Sequence, residues 1–286
     1  MCGIFGILGT CASVKRVRDL VKNAEIRGKD SSGAVLVKDS MCVVYKAETT
    51  ASKLFKEIPF KGCELILGHS RLITNDFAEN QPVIRENIIA LHNGIIVNHN
   101  DLWDKHEIDP HSQLDSEILP ALFQKFYQEC FDGVTAAKKI LQECKGIVSA
   151  IIYAPKLGKI LLISNNGSLY VGKVGKLIVI SSEKWPLKHS KCSEIINIKG
   201  VKILDAPNIS SDLKEKIVIT KKRLDLVPKY SKKLSQAKKL QYSIPELKRC
   251  TQCILPETMP FISFNERGIC NYCTNYIPRN NSKPIT

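Results

Sequence analysis

Met1-Cys2-Gly3-Ile4-Phe5-Gly6 opens the chain. Methionine is normally removed ahead of a small side chain, so Cys2 can become the first residue of the mature polypeptide. It then carries a thiol and a free α-amine on one residue. The amine ionises at about 7.7–8.0 and the thiol at about 8.5. A partly deprotonated amine can act as general base beside an intrinsically good nucleophile. The two glycines and the apolar residues around them predict a tightly packed strand with close backbone approach. Read alone, the stretch fits a chance cysteine at the start of a buried strand just as well, and residues downstream decide between the two.

The 286 residues suffice for one large domain or two smaller ones, and 44% hydrophobic content allows a substantial core. No stretch approaches the roughly eighteen apolar residues that span a membrane. The apolar run Ile4 to Leu8 has no basic residue before it, and Leu8-Gly9-Thr10-Cys11 is a poor processing or lipid-attachment site. A cytoplasmic protein is expected, with its eleven cysteines as thiols or metal ligands. The net charge of +14 is concentrated between Lys214 and Arg249, where twelve Lys/Arg face three acidic residues. Such a run suits nucleic acid or an acidic partner surface, and equally a solvated helix or linker.

Cys2 to Gly9 reads as a first strand, and Ser13 as the N-cap of a helix with an apolar stripe at Val14, Val17, Val21 and Ala24. Arg27 to Gly33 reads as a polar loop. Ala34 to Val37 pairs with Cys42 to Tyr45, and Ser52 to Ile58 forms a short helix. Strands are expected at Glu64 to Gly68, Ile88 to His92 and Ile95 to Asn98. Asp115 sits at an expected N-cap, before helices from Ser116 to about Glu129 and from Thr135 to Cys144. Hairpins follow at Val148 to Tyr153 with Lys159 to Ser164, and at Leu169 to Val174 with Leu177 to Ser181. Strand runs and helix pairs in this order indicate α+β with antiparallel sheets.

The chemistry gathers where strands end. Arg71, just past a buried strand, suits a bidentate grip on a carboxylate. Asn93 beside the Gly94 N–H can donate two hydrogen bonds to a developing oxyanion. Asp115 can pair with an ammonium. Each also has an ordinary structural reading: a surface ion pair, a hairpin turn, a helix cap.

Cys2-Gly3-Ile4, Arg27-Gly28 with Asp30 and Gly33, Gly68-His69-Ser70-Arg71, Asn80-Gln81-Pro82, His92-Asn93-Gly94 and Asp115-Ser116-Glu117 occur in that order. Together they resemble the class II glutamine amidotransferase domain, an N-terminal-nucleophile (Ntn) hydrolase with a four-layer αββα sandwich. The similarity runs over residues 2 to 205, through Gly167-Ser168-Leu169-Tyr170-Val171-Gly172 and Ser181-Ser182-Glu183. It implies Cys2 as nucleophile on the glutamine side-chain amide, its own amine as base, and Asn93 with Gly94 as oxyanion hole. It implies Arg71, helped by Thr74, on the substrate α-carboxylate, Asp115 on the α-amino group, and Arg27 as a support for the strand end carrying Cys2. Two departures stand out. Leu72 replaces the tryptophan of sugar-phosphate members, and Asn75-Asp76 replace their His-Gly. Arg71-Leu72 is closer to the asparagine-synthetase branch, so the acceptor does not carry over.

Cys250-Thr251-Gln252-Cys253 and Cys270-Asn271-Tyr272-Cys273 are two CxxC pairs separated by sixteen residues. Their spacing fits a tetrahedral four-cysteine site, coordinatively closed and therefore structural, with Zn2+ the expected metal. Leu255-Pro256-Glu257-Thr258-Met259-Pro260-Phe261 and Asn265-Glu266-Arg267-Gly268-Ile269 between them are similar to the zinc-ribbon segment of N-acetyl sugar amidotransferases. In that family an ATP-pyrophosphatase domain with a Ser-Gly-Gly phosphate loop follows. No such loop occurs in this sequence, so no ATP site is expected here, and the synthetase is expected as a separate or missing partner. The expected organisation is an amidotransferase domain over 1–205, a basic linker over 206–245 and a zinc-ribbon-like segment over 246–286.

Three functions compete at this point. One is a glutaminase feeding ammonia to a sugar-modifying synthetase. Another is a basic zinc-ribbon nucleic-acid binder on a degenerate scaffold, which sparse aromatics in the basic run (Tyr230, Tyr242) disfavour. The third is an Ntn hydrolase for another amide, which Arg71 with Asp115 disfavours because together they read a free amino acid.

Overall fold

The structure, a computed structural model, describes residues 2–10, 12–72, 80–209, 213–218 and 247–276. It divides into two units, Met1–Leu224 and Asp225–Thr286. The first unit runs β1 (Gly3–Leu8), α1 (Val14–Glu25), β2 (Ser31–Lys38), β3 (Met41–Ala47), α2 (Ala51–Glu57) and β4 (Leu65–Arg71). It continues with β5 (Val83–Arg85), β6 (Ile88–His92), β7 (Ile95–Ile96), α3 (His99–His106), α4 (Ile118–Cys130) and α5 (Gly133–Glu143). Next come β8 (Gly146–Ile147), β9 (Ser149–Ala154), β10 (Lys159–Ser164), β11 (Tyr170–Val174) and β12 (Leu177–Ser181). The unit closes with α6 (Lys184–His189), β13 (Ser193–Asn197), β14 (Gly200–Asp205) and β15 (Lys214–Val218).

One sheet has the order β13-β11-β12-β1-β4-β2-β3-β15, and a second β14-β10-β9-β6-β5. Strand alternation sends each sheet's side chains two ways. Ile4, Val35, Leu65 and Leu67 of the first sheet pack with Ile89, Leu91, Ile151 and Tyr153 of the second in one dry cluster. Phe5, Ile7, Leu36 and Ile66, on the other face, meet Val17, Leu20 and Val21 of α1 and Leu54 and Phe55 of α2. Ala90, Ala150 and Ile152 of the second sheet pack against Ile118, Leu122, Phe126, Ala137 and Ile140 of α4 and α5. The two sheets therefore face each other, with helices on their outer faces.

α1 forms where the apolar stripe requires it, and Ser13 Oγ accepts from Arg16 N at 3.2 Å as its cap. Several elements depart from the sequence expectation. Ser31 to Gly33 open β2 instead of closing a loop, because Ser31 pairs with Arg71 in β4. His69-Ser70-Arg71 lie inside β4. Asp115 caps no helix: it starts a 3-10 turn (Asp115–Glu117), and Glu117 holds the N-cap position of α4. β7 stops at Ile96, because Asn98 turns inward, with Nδ2 to the Glu143 carbonyl (3.0 Å) and Oδ1 to the Lys145 N–H (2.8 Å). The sheets are antiparallel except at β15, which runs parallel to β3. That strand lies within the stretch expected as linker, most of which (219–245) falls outside the described residues. Among the described residues no helix is long and apolar enough to cross a membrane.

One buried ion pair escaped the sequence reading. Arg85 Nη1 meets Glu117 Oε1 at 2.6 Å with side chains 8% and 2% exposed. Arg85 Nη2 reaches the Asp109 carbonyl at 2.9 Å, and the Ser112 N–H donates to Glu117 at 2.7 Å. The pair clamps the turn that carries Asp115 onto the edge strand β5. Removing one partner leaves a buried charge uncompensated, so Glu117→Ala should cost about 3–5 kcal/mol in urea unfolding. A loss below about 1 kcal/mol would show that the site stays wet.

Candidate active site

The β1–β4 register sets Gly3 against Ser70, and one step further brings Cys2 across from Arg71. β6 of the other sheet ends at His92, so Asn93 and Gly94 emerge at the same end of the sandwich. Between them runs a hydrogen bond from the Cys2 nitrogen to Asn93 Oδ1, 3.0 Å long and spanning 91 residues of sequence. Asn93 is 2% exposed, and its own N–H donates to the Ser149 carbonyl at 2.8 Å. With Oδ1 turned to Cys2, the amide nitrogen remains as donor to whatever sits before the thiol.

Gly94 allows this arrangement by close approach. A Cβ there would lie 1.9 Å from the Ile147 carbonyl oxygen. Gly28 does the same on the other side of the site, where a Cβ would fall 2.4 Å from the Arg71 backbone carbon. The Gly28 carbonyl meanwhile accepts from Ser70 Oγ at 2.6 Å. The loop after α1 therefore lies directly on the end of β4.

Burial pushes the Cys2 thiol up, against the Leu72 N–H and the cations of Arg71 and Arg27, which pull it down. On balance the protonated thiol is favoured. Arg71 is 5% exposed at the last position of β4. Arg27 forms an ion pair with Glu183 at 2.9 Å, tying the loop after α1 to the end of β12. Asp115 turns Oδ2 to the Ile96 N–H at 2.7 Å and Oδ1 to the Ser116 hydroxyl at 3.2 Å. Thr74 lies outside the described residues.

Beneath the site is a buried polar layer that the sequence showed only as fragments of short motifs. His92 N–H donates to Gln81 Oε1 at 2.6 Å, and His69 Nε2 meets the His92 carbonyl at 3.2 Å, bridging the two sheets. Burial lowers both histidines, His69 to about 3 with Arg71 adding to the effect. Asn80 ties the next segment down: its Oδ1 accepts from Ser31 Oγ at 3.0 Å and its Nδ2 donates to the Ser32 carbonyl at 2.9 Å. Polar residues recurring in short motifs beside strand ends were the signal, but nothing in their spacing told which atoms meet.

The second unit gathers Cys250, Cys253, Cys270 and Cys273, with all four sulfurs within 4.8 Å of one another. A tetrahedron of bonds near 2.3 Å has sulfur–sulfur edges of about 3.8 Å, and the pairs Cys250–Cys273 and Cys253–Cys270 stand at 3.9 and 3.5 Å. Backbone N–H groups of Gln252, Cys253 and Cys270 point at the Cys250 sulfur at 3.4, 3.5 and 3.2 Å. Burial raises the Cys250 thiol, but these donors outweigh it and bring it to about 6. The donor set fits a metal that takes four thiolates. Apart from Cys250 and Cys270, no described residue here is buried, and a single short helix, α7 (Asn271–Thr274), forms.

Residues 69–189 match the family model described as Glutamine amidotransferase domain. The chain carries a glutamine amidotransferase domain. The domain is similar to glutamine–fructose-6-phosphate aminotransferase of Campylobacter jejuni, 27% identical over 71% of this chain and 36% of that protein. It is similar also to 7-cyano-7-deazaguanine synthase of Saccharolobus solfataricus, 30% identical over 60% of this chain and 40% of that protein. The chain thus spans well under half the length of these relatives. Its fold matches glutamine phosphoribosylpyrophosphate amidotransferase from B. subtilis with TM-score 0.57 and 20% identity, over 74% of this chain and 51% of that one.

The Gly94 contact gives the domain a direct structural test. Gly94→Ala must displace either the Ile147 backbone or the loop at Asn93, and should lower unfolding stability by about 1–3 kcal/mol. Unchanged urea and thermal unfolding would mean that the loop does not sit against β8.

Proposed function

We propose that this chain hydrolyses glutamine to glutamate and ammonia through a thioester on Cys2, in an Ntn-type αββα sandwich. The observation that carries this reading is the hydrogen bond between the Cys2 nitrogen and Asn93 Oδ1. It supports the reading because it brings the Cys2 nitrogen and the Asn93 amide together from the ends of strands in two separate sheets. Removal of Met1 turns that nitrogen into an amine. The amine takes the thiol proton as Sγ attacks the side-chain amide carbon of glutamine. Asn93 Nδ2 and the Gly94 N–H receive the oxyanion. Collapse breaks the carbon–nitrogen bond, the amine's proton goes to the leaving nitrogen, and ammonia departs. Water, deprotonated by the same amine, attacks the γ-glutamyl thioester, releasing glutamate and the thiol. Arg71 and Thr74 hold the α-carboxylate, Asp115 the α-amino group, and Arg27, anchored by Glu183, steadies the loop over Cys2.

The ammonia is destined for an acceptor activated by a synthetase partner carrying the ATP site. The ribbon's resemblance to sugar amidotransferases favours a sugar-type acceptor, with Cys250, Cys253, Cys270 and Cys273 holding a structural Zn2+. A closed set of four thiolates supplies no open coordination position, so the metal would order the ribbon and not the chemistry.

Cys2→Ala, or residues left in front of Cys2, should abolish glutamine hydrolysis, and full activity of an N-terminally extended protein would sink the mechanism. Arg71→Ala and Asp115→Ala should each weaken kcat/KM for glutamine by about 2–5 kcal/mol. Asn93→Ala should act on kcat, by about 2.7–4 kcal/mol. An Asn93→Ala effect confined to KM would remove Asn93 from the oxyanion role.

For the ribbon, purified protein should hold one zinc per chain. Chelation or Cys250→Ser should unfold residues 247–276 while glutaminase activity persists, because thirty residues with two buried side chains have no core beyond the metal. Tight, steeply salt-dependent nucleic-acid binding by a protein without glutaminase activity would favour the nucleic-acid reading instead.

A further inference from the structure

Ser116 is 1% exposed and has no room for a substrate, yet its hydroxyl is the meeting point of three side chains. Gln81 Nε2 donates to it at 3.2 Å, His92 Nδ1 lies at 3.0 Å and Asp115 Oδ1 at 3.2 Å. His92 is held on every side: its N–H by Gln81 Oε1 (2.6 Å), its carbonyl by His69 Nε2 (3.2 Å), and its Nε2 by the Ile147 carbonyl (3.1 Å). It directly precedes Asn93 and Gly94.

Proton accounting orders the cluster. A carbonyl only accepts, so the His92 Nε2 contact with Ile147 places the proton on Nε2. The neutral ring then offers Nδ1 as an acceptor, and burial keeps it neutral. The single Ser116 proton therefore faces two acceptors, His92 Nδ1 and Asp115 Oδ1, and is shared between them, while the Gln81 amide fills the oxygen from the other side. Asp115 Oδ2 is fixed by the Ile96 N–H.

We propose that Ser116 is a positioning residue whose hydroxyl joins the loop at Asn93–Gly94 to the carboxylate of Asp115, so that oxyanion donors and ammonium acceptor keep one geometry. The inference rests on the glutaminase reading for what the two ends bind, but the hydroxyl's bond to His92 stands apart from it. Because Ser116 touches neither reacting atom, its loss should act through its neighbours on both. The His92 ring would lose the partner that aims the Asn93–Gly94 loop, and Asp115 would lose the wall that sets its rotamer.

The test uses the full chain with Met1 removed, comparing parent, Ser116→Ala and Ser116→Cys. In Ser116→Ala, kcat should fall and KM for glutamine should rise, each by about tenfold, a size typical for a lost hydrogen bond near charge. In the Asp115→Asn background, Ser116→Ala should leave KM within about twofold while still lowering kcat, since coupled residues are not additive. Histidine 15N NMR should show His92 as the Nε2–H tautomer, with its Nδ1 resonance moving when Ser116 becomes Ala. If Ser116→Ala does not fold, Ser116→Cys, a similar volume with a weak donor, should show the same two kinetic losses. A parent that hydrolyses glutamine with Ser116→Ala indistinguishable from it would overturn the proposal and leave the glutaminase reading standing. A parent without glutaminase activity would sink that reading instead, and the His92 Nδ1 resonance would still decide the Ser116 bond.

Discussion

Cys2 and Asn93 adjoin the ends of strands in different sheets, and a bond of 3.0 Å between them exists only if those sheets are held in one relative position. Interiors pack as densely as organic crystals and transmit small shifts. The dry layer of Ile4, Leu65 and Leu67 against Ile89, Leu91 and Ile151 is therefore what sets the site. A change of one methylene in that layer moves Cys2 relative to Asn93.

The site end of the sandwich solves a problem that the apolar core creates. Backbone groups at strand ends have no further ladder partners, and buried ones must be satisfied. Asn80, Gln81, Ser70, His69 and His92 fill that role with side chains, closing the gap between the sheets with a polar layer. In such layers each hydrogen bond is worth more than in water, and each unmade one costs more. The arrangement is consequently well defined at the end of the sheets where Cys2 and Asn93 meet. The two units contrast here: the first is organised by burial, the second by four sulfurs with hardly any burial at all.

Much of this was legible in the sequence. Cys2 stood out by its position next to the initiator methionine, and α1 and β6 followed from apolar periodicity and clear boundaries. The paired CxxC spacing announced a four-sulfur cluster because ligand geometry restricts spacing directly. Arg71, Asn93, Gly94 and Asp115 were legible as motif members, each at or near a strand end, and local pattern reaches that far. Asp115 was misread as a helix cap because capping depends on the φ/ψ of the following turn, which here is 3-10.

The sequence by itself determined which polar residue types stand near the strand ends and which faces are apolar, since both follow from residue type and period. Tertiary structure alone decided who meets whom. Gln81, His92 and Ser116 converge across separations of 11 to 35 residues, and Arg85 finds Glu117 across 32, through contacts no local rule encodes. β15 joins β3 in parallel although its lysine-rich surroundings read as linker, because an open sheet edge offers backbone partners whatever the side chains are. Polar pairs and edge strands are chosen by geometry once the core has closed, and so they stay hidden until the chain is seen folded.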